Sequence, residues 1–195
     1  MPIAKLVPNI APIDASSEIS SGAYTDIDET FASADSTYMD TATNNWAGGA
    51  VVDFGLSDLP GSADSINSVT LRVGADVYGD ITPDDTIGYT FQVIGTNAGT
   101  ATVIWDDSDA AIQAIEARTA TVTGTGTVAN INSWIIRLTQ SSWSQNMAKD
   151  GMFLRMESLE LEVDYNLAAA PILTLPVETN LEATTATIGC TTDTA

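Results

Sequence analysis

The chain has 195 residues, of which 44 % are hydrophobic, so it can bury a core and is not a wholly disordered polymer. Its 26 acids against 6 bases give a formal charge of −20, which argues against phosphate-binding partners such as nucleic acid and against anionic membrane surfaces. It has no histidine and one cysteine, Cys190, which excludes Ser-His-Asp and Cys-His machinery, histidine-based metal sites and a disulfide framework.

Residues 1–45 are rich in Ser, Thr, Ala and Asp and carry Pro2, Pro8 and Pro12. No period of 2 or 3.6 is sustained, so this stretch reads as an extended N-terminal arm outside the packed domain. The prolines restrict φ, and Leu6, Val7 and Ile10 are scattered apolar anchors for contacts with a neighbouring subunit. The first eighteen residues lack the continuous apolar segment of a secretory signal. Such a chain is expected to be made in a cytoplasm, or to reach an exterior by another route such as incorporation into a particle.

From residue 46 the pattern becomes strands separated by turn signals. Gly48 to Leu56 is a short apolar strand, and Leu59-Pro60-Gly61 marks a turn. Ile66 to Val77 alternates strictly, with Val69, Leu71, Val73, Ala75 and Val77 on one face. Ile87, Tyr89, Phe91 and Val93 share a face in the next strand, and a strand ending at Trp105 follows. Asp106 to Arg118 is the one helical candidate, with Asp107 or Ser108 as cap and Ile112 and Ile115 as an i, i+3 pair. Thr119 to Val128 reads as a Thr-rich strand with a Gly-containing turn. Trp134, Ile136 and Leu138 share a strand face. Met152 to Tyr165 is the longest strand signal. Met152, Leu154 and Met156 hold one parity; Leu159, Leu161, Val163 and Tyr165 hold the other. Either a β-bulge near Glu157–Ser158 keeps both halves facing the core, or two strands meet at a kink.

Seven or eight strands at this spacing describe an all-β sandwich or jelly roll over residues 46–166, with one short helix. Residues 167–195 then read as a linker and the first strands of a second β module.

Three of the six basic residues repeat one pattern, apolar-Arg-apolar, at Arg72, Arg137 and Arg155. Each lies on the strand face opposite the apolar set. On neighbouring strands they form a cationic stripe for docking an acidic neighbour; alternatively each pairs with a cross-strand carboxylate. Acidic clusters at Asp76–Asp80, Asp84-Asp85 and Asp106–Asp109 fit no EF-hand or Ca²⁺-nonapeptide spacing and read as solvated turn acids. Trp46, Trp143 and Tyr78 sit in contexts where rings could form a glycan platform. No residue set identifies a catalytic, cofactor or metal site, and the chain is not expected to be an enzyme.

Two resemblances bear on setting. Residues 35–77 resemble the front half of jelly-roll modules on bacterial and phage surface proteins, which look like carbohydrate-binding modules in fold. The matching residues are Asp35 to Tyr38, Phe54 to Ser57, Leu59-Pro60 and Ile66 to Arg72. Residues 171–195, with Pro171 and Thr185-Ala186-Thr187-Ile188, resemble the opening strands of a fibronectin type III or other Ig-like module. That likeness implies a gene product longer than 195 residues, with Cys190 a buried strand residue. Together the resemblances imply a virion structural protein of a tailed bacteriophage, exposed on the capsid exterior. A capsid decoration (cement) protein is favoured over a fibre. Its partners would be the major capsid protein and further copies of itself, a trimer by preference. The alternative is a carbohydrate-binding or fibre-type adhesion module that recognises host-surface glycans. Aromatic exposure separates the two.

Overall fold

The structure is a computed structural model that describes residues 2–11, 18–30, 35–43, 46, 50–79, 86–106, 115–124, 126–144 and 151–169. Among these, strands dominate: β1 (Ile3–Leu6), β2 (Ile19–Ser21), β3 (Met39–Thr41), β4 (Val51–Gly55), β5 (Ala63–Tyr78), β6 (Thr86–Ile94), β7 (Thr102–Asp106), β8 (Glu116–Thr121), β9 (Ile135–Ser144) and β10 (Phe153–Leu167). A 3₁₀ turn spans Tyr24–Asp26 and a single α-helical turn, α1, spans Val128–Ile131. The fold is all-β, with two antiparallel sheets packed as a sandwich around one hydrophobic core. The larger sheet runs β2-β3-β10-β5-β8, with β1 also on β10; the smaller runs β4-β9-β6-β7.

Strict alternation builds the two central strands. β5 and β10 pair along nearly their whole lengths, and the register sets Val69 opposite Val163, Leu71 opposite Leu161, Val73 opposite Leu159 and Val77 opposite Leu154. All eight are buried, each contributing about 2 kcal/mol by removal from water. The smaller sheet shows the same logic across four strands. Val52, Leu138, Phe91 and Val103 are successive register partners, as are Phe54, Ile136 and Val93 in the next row. These rows face the β5–β10 rows, and every member is buried.

The parity change in β10 is a β-bulge. Met156 pairs with Ala75 and Ser158 with Gly74, which leaves Glu157 as the extra residue. The bulge rotates the strand by one residue, so Leu154 and Met156 before it and Leu159 and Leu161 after it all point inward.

The helical candidate at 106–118 is corrected at its C-terminal end. Glu116–Thr121 is strand β8, paired antiparallel with β5 from Ala75↔Glu116 to Thr70↔Thr121. β-Branched Thr119 and Thr121 suit that edge, and strand pairing prevails over a weak helical period. Residues 107–114 lie outside the described residues. A helical turn forms instead at Val128–Ile131, just past the Gly-containing turn that ends the Thr-rich segment. Thr127 caps it: its Oγ1 accepts from the Asn130 N–H at 3.2 Å, and its own N–H donates to Asn130 Oδ1 at 3.0 Å.

The N-terminal segment also differs from the expected arm. β1, β2 and β3 are members of the larger sheet of the same chain. β3 and β1 share one edge of β10, at Arg155–Met156 and at Leu161–Asp164 respectively. Between them the Leu159 N–H reaches the Ile27 carbonyl at 3.3 Å, and beyond them the Tyr165 N–H reaches Pro2 at 3.2 Å. The chain then crosses to the other sheet. Pro8 bridges Leu56, Ser57 N–H donates to Val7, and Asn9 N–H donates to Gly55. Residues 2–9 therefore form a strap over one open side of the sandwich. Unpaired edge groups invite aggregation, so edge accounting absorbed a segment whose sequence has no period. The module expected over 167–195, including Cys190, lies outside the described residues beyond 169.

Candidate functional site

The outer face of the larger sheet holds most of the chain's described cations. Arg72 stands directly opposite Glu160 in the β5–β10 register, and its Nη2 donates to Glu162 at 2.9 Å. Lys5 of β1 approaches Glu160 from the other side, Nζ to Oε1 at 3.4 Å, while Arg72 Nε lies 3.6 Å from the same oxygen. Glu160 is only 1 % exposed despite its outward position, and its Oε2 has no hydrogen-bond partner among the described residues. A buried carboxylate is tolerated where opposite charge surrounds it, and here three strands contribute.

At the other end of the same strands, Arg155 lies opposite Asp40 of β3. The pair is bidentate, Nε to Oδ1 at 2.8 Å and Nη2 to Oδ2 at 2.9 Å. Its hydrogen bonds to the Asp40 carboxylate raise the Arg155 pKa above its ordinary value. The guanidinium also lies 4.9 Å from the ring centres of Tyr38 and Tyr78 and 5.4 Å from that of Phe153. Tyr78 and Phe153 are register partners and stack, with centroids 5.9 Å apart at 19°. Arg137 repeats the arrangement on the other sheet. It lies opposite Asp53 of β4, with both bonds at 2.7 Å.

The three arginines therefore do not form one stripe. Arg72 and Arg155 share a sheet, Arg137 belongs to the other, and each faces a cross-strand carboxylate. The repeated apolar-Arg-apolar pattern shows where arginines lie on a strand. Glu160 and Glu162 alternate outward along their strand and so fit cross-strand pairing from the sequence, whereas Asp40 and Asp53 carry no local signal, because register alone brings them there.

The proposed anchors divide. Leu6 is 1 % exposed inside its own chain's core, Val7 is half-buried, and Ile10 is 48 % exposed with its side chain over Gly55. Of the proposed platform residues, Trp46 is 6 % exposed and packs edge-on against Tyr89, centroids 5.8 Å apart. Trp143 lies opposite Ile87 and packs against the core. Tyr78 keeps partial exposure but is engaged by Phe153 and Arg155. The three do not share a surface plane. Trp105 and Trp134 are core residues; Trp134 donates its indole N–H to Thr96 at 2.9 Å.

A second polar feature joins the sheets inside the core. The Tyr89 hydroxyl on β6 hydrogen-bonds Thr41 Oγ1 on β3 at 3.0 Å, and Thr41 Oγ1 accepts from the Leu154 N–H at 2.9 Å. Gln140 on β9 accepts from the Trp46 backbone N–H at 2.7 Å. Burial pushes the Tyr89 hydroxyl above its ordinary pKa, and hydrogen bonding with Thr41 and Gln140 offsets part of that.

Of the acidic clusters, Asp76 is buried on β5 beside Tyr78, while residues 80–85 and 107–109 lie outside the described residues. Glu29, near Asp26, Asp28 and Asp35, titrates above its ordinary value, chiefly through burial. No group of three or more metal-ligating side chains occurs among the described residues, and no described helix is long and apolar enough to cross a membrane. Comparison with protein-family models, curated proteins and solved structures finds no match.

Proposed function

We propose that this chain is a non-catalytic structural protein of a particle surface, specifically a capsid decoration protein on the virion of a tailed bacteriophage. Its partners are the major capsid protein and further copies of itself, a trimer by preference. The observation that carries the proposal is how the large side chains are used. Trp46, Trp105 and Trp134 are buried, and Arg72, Arg137 and Arg155 are each engaged by a carboxylate on a neighbouring strand. Such a surface suits a rigid building block better than a sugar platform, which needs aromatic faces free of packing.

A jelly-roll reading of the sandwich is supported by its strand order. β3-β10-β5-β8 faces β4-β9-β6-β7, so consecutive strands from β3 onward alternate between sheets in nested fashion, except at the β6–β7 hairpin within the smaller sheet. The resemblance of residues 35–77 to surface jelly rolls points the same way. The glycan-recognition alternative retains one favourable observation: Tyr78, Tyr38 and Phe153 are partly exposed around a fixed guanidinium.

Light scattering of the purified chain, and its binding to phage shells assembled without it, test the proposal. Self-association with saturable shell binding is expected. A chain that stays monomeric and ignores shells, yet binds host-surface polysaccharide, reverses the order of the two readings.

A further inference from the structure

β1 is seated by interactions that are indifferent to which chain supplies the strand. Four residue pairs, Ile3↔Asp164 to Leu6↔Leu161, form the ladder. Leu6 enters the core with Ala4 packed against it, and one ion pair, Lys5 to Glu160, reads the outer face. The strap then continues along the end of β4 through Val7, Pro8 and Asn9.

The seat itself is demanding. Without β1, the β10 edge at Leu161–Asp164 exposes backbone groups beside fully buried Leu161 and Val163, and buried Glu160 keeps only Arg72. Something must fill it. The sequence between the strap and β2, residues 10–18, can span up to about 30 Å when extended. That length allows the strap to sit on its own sandwich or on an adjacent one with identical local contacts. Exchange of an identical element is a low-cost route to closed oligomers.

We propose that the β1 seat on β10 is an exchange interface, and that its occupant in the assembled form is the Pro2–Asn9 strap of a second copy of this chain. The proposal rests on the assembly reading above and supplies its contact. Lys5 and Glu160 set the register of the incoming strand: a slip by one residue would place Leu6 in solvent and leave Glu160 facing no ammonium.

The test uses full-length chains carrying Cys190→Ser, co-expressed in pairs. One chain carries Ala4→Cys and the other Val163→Cys; a second pair carries Ile3→Cys and Asp164→Cys. These are adjacent register partners, so one of the two pairs is the closer, non-hydrogen-bonded kind suited to a disulfide. A disulfide between the two different chains forms only if the strap is donated in trans. The double variants, with both cysteines on one chain, report donation in cis. Exchange predicts an oligomer by light scattering and a hetero-disulfide in at least one pair. An oligomer without hetero-disulfide in either pair overturns exchange and leaves assembly standing through another surface. A chain that is monomeric at all concentrations overturns both.

Discussion

Arg155 shows how a side chain on a solvent-facing strand becomes structural. Asp40 holds it through two parallel hydrogen bonds, and Tyr38, Tyr78 and Phe153 surround it. Lysine keeps the charge but loses the fork and the planar contact with the rings. Arg155→Lys should therefore cost about 1–2 kcal/mol, read as a lower urea midpoint with unchanged slope; a loss below the scatter of surface variants would show the cluster to be incidental. Tyr89 gives a pH prediction. Its pKa is raised by burial above the ordinary tyrosine value of 10.0, so the unfolded chain ionises first as pH rises. The stability this contributes is complete below about pH 10 and declines above it. Tyr78 is raised in the same direction, by burial and by Asp76, so Tyr89→Phe should make the alkaline decline shallower without abolishing it. Urea midpoints at intervals between pH 8 and 11 check this, and an unchanged slope in the variant would assign the decline elsewhere.

At the scale of elements, β10 organises the molecule. It carries β5 along one edge and β3 and β1 along the other, and a single inserted residue, Glu157, lets both of its apolar halves face inward. Deleting Glu157 would rotate one half by a full residue and turn either Leu154 and Met156 or Leu159, Leu161 and Val163 toward solvent. The deletion should abolish the cooperative unfolding transition, whereas Glu157→Ala should change stability by less than about 1 kcal/mol. Circular dichroism melts of the two variants separate these outcomes. The bulge was legible because the parity switch is written in apolar residues. The strap was not: Ile3 to Asn9 has no period, and its conformation is dictated by an edge that only β10 and β4 create. The first half of β8, Glu116–Arg118, departs from its helical pattern for the same reason, since the free edge of β5 outweighs it, whereas Thr119–Thr121 read as strand in the sequence as well.

For the whole molecule, the net charge of −20 sets the solution behaviour. Among the described ion pairs, cations are consumed locally, so long-range repulsion among the remaining carboxylates opposes compaction. Raising salt screens that repulsion more than it weakens short, partly buried pairs. The thermal midpoint should therefore rise as NaCl goes from about 10 mM to about 500 mM, where the Debye length falls from roughly 30 Å to under 10 Å. A falling midpoint would show that cross-strand ion pairs dominate. The same excess of acids makes the strap sensitive to its one ammonium, since Lys5 is the only base on β1.

The sequence by itself determined the class of the fold and the inward faces of its main strands. Alternation of apolar residues with period 2 is a direct record of a half-buried strand, and it named the inward faces of β5, β6, β9 and both halves of β10. The tertiary structure decided what pairs with what. The partners of Arg72, Arg137 and Arg155 lie 84 to 115 residues away along the chain, in positions set by register. Trp46 became core because Tyr89 and Gln140 meet it from the smaller sheet, and the N-terminal residues became part of the sandwich because two sheet edges needed hydrogen-bond partners. Periodicity is a local property and pairing is not, so the first could be read along the chain and the second only across it.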